Sequence, residues 1–297
     1  CMLFKNGLFG AADAFDVGAF TSDLSDSIEP ALSSALEQAG VKIIRNSTVK
    51  AVVIENNVFT SVKLKDDILQ CSDVIFATPH HITARILENS VNESKIPVLE
   101  EMGSKIDKLC TDIGRMEYRS LIGIHSFYRG YRVPKDFTFA VMVDQPLIQM
   151  VFNRNSELSS PIEEGVQWVT VPVSAADEYL KMEDEEILQQ LDKVLLQLWP
   201  ENADIERIEH LIVRTPKATF APTPGSAELR PNASFLGNNI AIAGCWTKTN
   251  WPSTMEGAVR SGLNAAAHIL EIEWDSDKPW QQWPLRPQRG DAEWPTW

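Results

Sequence analysis

The stretch with the richest chemistry lies late in the chain, at residues 239–262. It reads Asn239-Ile-Ala-Ile-Ala-Gly244-Cys245-Trp-Thr-Lys-Thr-Asn-Trp-Pro252-Ser253-Thr254-Met255-Glu256-Gly257-Ala258-Val-Arg-Ser-Gly262. The pattern predicts a short buried strand ending at Gly244, a loop, and a helix from about Ser253 to Leu270. Ser253 and Glu256 have the spacing of a capping box, in which each side chain satisfies the other residue's backbone N–H. Gly257 and Gly262 each cost a helix roughly 1 kcal/mol against Ala, so something should offset them. Small residues at Gly257, Ala258, Ser261, Gly262, Ala265 and Ala266 strip one face, which lets a backbone or a flat ring compound approach closely. A helix start also offers unpaired N–H groups and a positive dipole end, suited to an electron-rich ring edge. Tight helix-on-sheet packing would explain the alanines but not two glycines beside a cap.

Other groupings carry less. His80 and His81 follow a predicted strand that ends at Thr78. Neighbouring side chains diverge in helix or strand, which disfavours a shared ligand. Glu256 is an acid with a capping role first. The acidic run at 183–186 suits the N-terminal dipole of a helix. Arg214, Lys217 and Arg230 bracket Ala218-Thr-Phe, where they either orient a loop or fence a bound ring. No Ser/His/Asp or Cys/His arrangement marks a nucleophile, and no catalytic residue is assigned. Cys1, Cys71, Cys110 and Cys245 are scattered, with no CxxC pair and no Cys/His cluster. They fit reduced thiols of a cytoplasmic protein, and no metal site is expected.

The elements that position these residues follow from periodicity. Residues 26–40 predict a helix with Ile28, Leu32, Ala35 and Leu36 on one face and Gly40 as its C-cap. Strands are expected at 41–44 and 49–54, a turn at Asn56-Asn57, its hairpin partner at 58–64, and a short strand near Leu69. Residues 73–78, apolar on both faces and stopped by Pro79, read as a buried parallel strand. Strand-like runs at 120–128, 137–143, 147–153 and 167–173 suggest an antiparallel sheet. A helix at 184–198 carries Ile187, Leu188, Leu191, Val194 and Leu195 on one face. A strand is expected at 212–213, and another at 239–243. The chain, at 297 residues, suffices for about two domains. Its net charge of −14 repels phosphate backbones, so nucleic acid is not an expected partner. No apolar run reaches the roughly 20 residues of a spanning helix.

Residues 244–262 resemble the carboxyl-terminal FAD signature of the carotenoid-desaturase and amine-oxidase superfamily. The resemblance implies that Gly244 and Cys245 meet the ribityl chain of the FAD. It also implies that the turn at Pro252, Thr254, Met255, Glu256, Gly257 and Ala258 faces the pyrimidine edge of the ring. Residues 40–49 through Ala77-Thr-Pro79 are similar to the superfamily's adenine side, where the backbone of Val49 would contact adenine. Lys217-Ala-Thr-Phe-Ala-Pro-Thr-Pro-Gly225, followed by Arg230-Pro231, narrows the resemblance to the squalene-associated FAD-dependent desaturases. Their activity is hydroxysqualene dehydroxylation. Residues 120–176, with Phe152-Asn-Arg154, are similar in layout to that family's substrate domain.

Two departures stand out. No G-x-G-x-x-G occurs; Gly7 and Gly10 have the spacing of its last two glycines, but Lys5 stands in the first place. Where the family has Asp after its Gly, this chain has Cys245, and a thiol is a weak acceptor. The fold implied is α/β: a partial FAD-binding, glutathione-reductase-like domain without its amino-terminal βαβ unit, interwoven with an antiparallel-sheet substrate domain. The expected division is 1–95 and 215–270 for FAD, 96–214 for substrate, and a Trp/Pro-rich tail at 271–297. The function implied is that of an FAD-dependent oxidoreductase of isoprenoid (hopanoid-type) biosynthesis, reducing hydroxysqualene to squalene. A phytoene-type carotenoid desaturase and a non-catalytic or split-half remnant remain alternatives. The partners implied are an apolar isoprenoid and a separate or missing amino-terminal segment; the tail's tryptophans read either as an extended segment without its own core or as an arm that docks on a partner or makes peripheral contact with a membrane. Residues 1–297 alone are expected to bind FAD poorly or not at all, because the phosphate-cradling turn is missing.

Overall fold

The computed structural model describes residues 20–93, 100–131, 133–134, 137–156, 158, 163–202, 206–237 and 239–275. They group into two units, one within 1–43 and 118–219, the other within 44–117 and 220–297. Gly7, Gly10 and the tail beyond residue 275 lie outside the described residues.

The first unit opens with helices α1 (Leu24–Ser27) and α2 (Glu29–Gln38). The single helix expected at 26–40 is broken at Ile28, because Pro30 sits in the first turn of α2 and has no N–H to continue α1. The expected stop is found: Gly40 takes φ +75 and donates to Glu37 O at 2.9 Å, while Val41 N donates to Leu36 O at 2.9 Å. This pair of bonds is a Schellman cap, which needs a left-handed residue at the glycine. No residue of α2 is buried.

The rest of this unit is a five-stranded sheet of order β6-β7-β8-β5-β9. Its strands are β5 (Tyr118–Arg129), β6 (Phe139–Val141), β7 (Met150–Asn153), β8 (Val166–Ser174) and β9 (Glu206–Phe220). β5 and β8 pair antiparallel, with Ile124 opposite Val171, His125 opposite Thr170 and Phe127 opposite Trp168. The period of two sends Ile122, Ile124 and Tyr128 with Val169, Val171 and Val173 to one face. There they pack on helix α5 (Asp184–Leu198) through Ile187, Leu188, Leu191, Val194 and Leu195, the face read from the sequence. β9 is far longer than the strand expected at 212–213. It tolerates Pro216 because it is an edge strand, where a missing N–H need not face a neighbour.

The second unit holds the three-stranded meander β1 (Ala51–Glu55), β2 (Val58–Lys63) and β3 (Ile68–Gln70). Asn56 and Asn57, with φ +51 and +64, make the predicted turn between the first two. The strand expected at 41–44 does not form. Val41, Ile43 and Ile44 are exposed, and no described strand lies beside them to complete a ladder. β4 (Val74–Phe76) pairs parallel with β10 (Ile240–Ile242), as its pattern suggested, although Ile75 is 41% exposed, so β4 is buried on one face only. Asn239 ties the meander to this pair: its Oδ1 accepts from Phe59 N at 2.9 Å, and its Nδ2 donates to Phe59 O at 2.7 Å and to Ser72 O. Helices α3 (His80–Glu93) and α4 (Glu100–Gly114) pack on this core through Ile86, Leu87, Met102, Ile106, Leu109 and Ile113. Neither helix is among the elements expected from periodicity. Helix α6 (Met255–Ile269) follows β10 and lies against it.

Candidate cofactor site

The strand–glycine–loop–helix segment read from the sequence lies entirely within the second unit. β10 is fully buried, and Ala243 N donates to Phe76 O at 2.8 Å, carrying the parallel ladder up to Gly244. Gly244 is required twice over. Its φ of +134 is unfavourable for an L side chain, and a Cβ there would lie 2.3 Å from Trp246 Nε1. The buried Trp246 indole donates to Thr78 O at 3.0 Å, fastening the loop to the end of β4.

Arg230 gathers the rest of the loop. Its Nη2 donates to Cys245 O at 2.9 Å, to Thr249 Oγ1 at 3.1 Å and to Trp251 O at 3.1 Å. Its guanidinium stacks on Phe220 at 5.4 Å, and burial lowers its pKa. Arg230 therefore braces the loop at 245–251 and stacks on Phe220 at the end of the Ala218-Thr-Phe run. Arg214 and Lys217 belong to the other unit: Arg214 pairs with Asp184 at 2.6 Å, and Lys217 lies 5.2 Å over the Tyr118 ring.

The helix start differs from the expected capping box. The cap is Thr254, whose Oγ1 accepts from Gly257 N at 3.3 Å. Glu256 reaches forward instead and accepts from Arg260 Nε at 2.7 Å. The reason is burial: Arg260 is only 5% exposed and needs a counter-charge, while it also stacks 4.2 Å over Trp251. Ser253 is left to pair with Cys245, Oγ to Sγ at 2.9 Å. The half-buried thiol thus has a polar neighbour on the loop itself.

The small residues of α6 divide into two stripes rather than one cleared face. Gly257, Ser261 and Ala265 are buried, and Ser261 Oγ accepts from Gly244 N at 2.7 Å while donating to Ala258 O at 2.6 Å. A Cβ on Gly257 would lie 2.5 Å from Pro252 O and 3.7 Å from Cys245 Cβ. Ala258 and Gly262 face outward, and a Cβ on Gly262 would meet nothing within 4 Å. Thr254, Met255 and Glu256 are likewise exposed. The first turn therefore presents its unpaired N–H groups and positive dipole end, bordered by an open small-residue stripe.

Gly244, Cys245, Pro252, Thr254 and Gly257 thus come together in one corner, with Met255, Glu256 and Ala258 on its open side. Val49 is half-buried and packs on the apolar cluster to which Trp246 belongs. His80 begins α3, buried, with its ring 5.9 Å from Trp246 and 6.0 Å from His81. The arrangement can seat a flat, electron-rich ring edge at the helix start. The one carboxylate of that turn, Glu256, is committed to Arg260.

A parallel strand pair running into a glycine turn and an open helix start defines an α/β unit of the kind that holds a ring cofactor. The chain belongs to the flavin-containing amine oxidoreductase family, whose profile matches residues 21–270, and FAD is that family's cofactor. Among curated proteins it is similar to the hydroxysqualene dehydroxylase of Rhodopseudomonas palustris, 30% identical over 159 residues, covering 52% of this chain and 33% of that protein. It is also similar to the zeta-carotene desaturase of Capsicum annuum, 29% identical over 99 residues, covering 33% of this chain and 17% of that protein. Among solved structures, an oxidoreductase from Methanosarcina mazei matches with a TM-score of 0.58 and 17% identity, covering 83% of this chain and 54% of that one. That last likeness is one of fold. The matched stretches are a third or less of the length of these curated relatives and about half of the solved chain. The residues present fit the ring end of FAD, because the first turn of α6 is open and the Ala258–Gly262 stripe leaves room beside it.

Proposed function

We propose that this protein is an FAD-dependent oxidoreductase of long polyprenoids and that its reaction is the reductive dehydroxylation of hydroxysqualene to squalene. The observation that carries the reading is the similarity, over about half of the chain, to a hydroxysqualene dehydroxylase. The first unit supports an apolar substrate. The sheet face away from α5 carries Leu121, Phe127, Phe139, Phe152 and Trp168, all at least partly exposed. Phe127 stacks on Trp168 at 5.5 Å, and Phe139 lies 5.7 Å from Phe152. Such a face removes hydrocarbon from water without asking for a charged partner.

In this reading Gly244 and Cys245 hold the ribityl chain, Pro252, Thr254, Met255, Glu256, Gly257 and Ala258 border the ring edge, and Val49 lies on the adenine side. The chemistry would belong to the cofactor, which when bound and fully reduced would supply a hydride to the carbon and a proton to its hydroxyl, which departs as water. The chain's own share is to orient the ring by the amides of α6, to keep water from an apolar substrate, and to brace the loop through Arg230.

A second reading, a carotenoid desaturase running the oxidative direction, is favoured by the match to the Capsicum annuum enzyme. Product analysis separates the two. Hydroxysqualene with a reductant should yield squalene, and phytoene or zeta-carotene with an oxidant should remain unchanged. Turnover of simple amines with no activity on either polyprenoid would overturn the assignment.

A further inference from the structure

On the sheet face away from α5, one polar pair sits among aromatic rings. Cross-strand register places Phe139 opposite Phe152, Phe152 opposite Thr170, and Thr170 opposite His125, so these four form one row across β6, β7, β8 and β5. Residues directly opposite in an antiparallel pair share a face. The row therefore runs from two aromatic rings to a hydroxyl and an imidazole. Thr170 Oγ1 lies 3.5 Å from His125 Nδ1. The imidazole also lies 5.8 Å from the Trp168 ring, over which the Arg154 guanidinium sits at 5.3 Å.

The other ring nitrogen is available. His125 Nε2 leans toward Gly123; apart from that glycine's own chain neighbours, it is the sole described atom within 4 Å of the place where a Gly123 Cβ would be, at 3.9 Å. Gly123 thus leaves a notch beside Nε2, and no partner for that nitrogen occurs among the described residues. Burial lowers the imidazole pKa from its ordinary 6.5, Arg154 lowers it further, and Asp23 opposes them. A neutral imidazole carries one donor and one acceptor nitrogen. If Thr170 donates to Nδ1, Nε2–H donates outward; if Nδ1–H donates to Thr170, Nε2 accepts. A hydroxyl group, being both donor and acceptor, fits either tautomer.

We propose that His125, steadied by Thr170 and opening onto the Gly123 notch, is the group that hydrogen-bonds the single hydroxyl of a long apolar isoprenoid lying on this face. It sets preference for the alcohol over the corresponding hydrocarbon. The inference rests on the polyprenoid reading and sharpens it, since it separates a hydroxylated substrate from a carotene. A site built to bond a hydroxyl discriminates against the analogue that lacks one, because the polar group is then left unpaired.

The test compares binding of radiolabelled hydroxysqualene and squalene, delivered from cyclodextrin, to residues 1–297. Wild type should bind the alcohol more tightly by about tenfold, the equivalent of one well-made hydrogen bond. His125→Phe keeps the ring and should erase that preference while leaving squalene binding within about twofold; Thr170→Val should reduce it in part. As a check that needs no variant, the Nε2 resonance of His125 should move on adding hydroxysqualene and stay put on adding squalene. Failure of wild type to bind either compound would overturn the polyprenoid reading and this inference together. Tight binding of both compounds with no preference, or a preference that survives in His125→Phe, would leave the polyprenoid reading standing and overturn this inference alone.

Discussion

Two glycines of α6 allow the same substitution to be made in the same helix with opposite expected signs. Gly257→Ala gains roughly 1 kcal/mol of helix propensity, as does Gly262→Ala. At Gly257, however, the new Cβ would stand 2.5 Å from Pro252 O, whereas ordinary contact begins near 3.4 Å. The obstruction is backbone rather than the end of a flexible side chain, so the loop that Arg230 and Trp246 brace has to move. Overpacking of this kind costs about 1–3 kcal/mol. The net expectation is a loss of about 1 kcal/mol for Gly257→Ala, once the helix gain is set against the clash. Gly262→Ala meets nothing within 4 Å and should gain up to about 1 kcal/mol. Urea unfolding followed by circular dichroism reads both as shifts of the midpoint at constant slope. If Gly257→Ala proves as stable as Gly262→Ala, the close approach of Pro252 is not what keeps a glycine at 257.

Two further outcomes follow from titration and thiol chemistry. The folded protein holds His125 below its ordinary pKa of 6.5, mainly by burial, so just below pH 6.5 the unfolded chain binds more protons there than the folded one. Stability should therefore fall on acidification from 6.5 toward the lowered folded value, and His125→Phe should lose that part of the slope; denaturant midpoints at several pH values check it, and an unchanged slope would refute the burial argument. Burial, with Glu88 and Asp107 adding to it, pushes the Cys110 thiol up to about 11, whereas Cys71 is exposed. Iodoacetamide at pH 8 followed by mass spectrometry should label Cys71 first and Cys110 only on unfolding; equal rates at the two would contradict the structure.

Periodicity was a sound guide wherever an element's partner lies close in sequence or its pattern is strong. The α5 face, the Asn56-Asn57 turn, the Gly40 cap and the Gly244 strand end were all legible, because each depends on local geometry or on one repeating apolar stripe. Met102, Ile106, Leu109 and Ile113 stand at helical spacing too, so α4 was within reach of the same reading. The strand expected at 41–44 was not decidable that way, because a strand exists only with a neighbour to bond, and none of the described strands lies beside it. The cap of α6 turned on tertiary facts as well. Ser253, Thr254 and Glu256 all have capping chemistry, and the burial of Arg260 drew Glu256 away while Cys245 engaged Ser253. The row of Phe139, Phe152, Thr170 and His125 lies scattered over residues 139, 152, 170 and 125, and only cross-strand register brings it together. The residue types that could hold a ring were therefore written in one continuous segment, whereas the face that could hold a substrate exists only once four strands are paired.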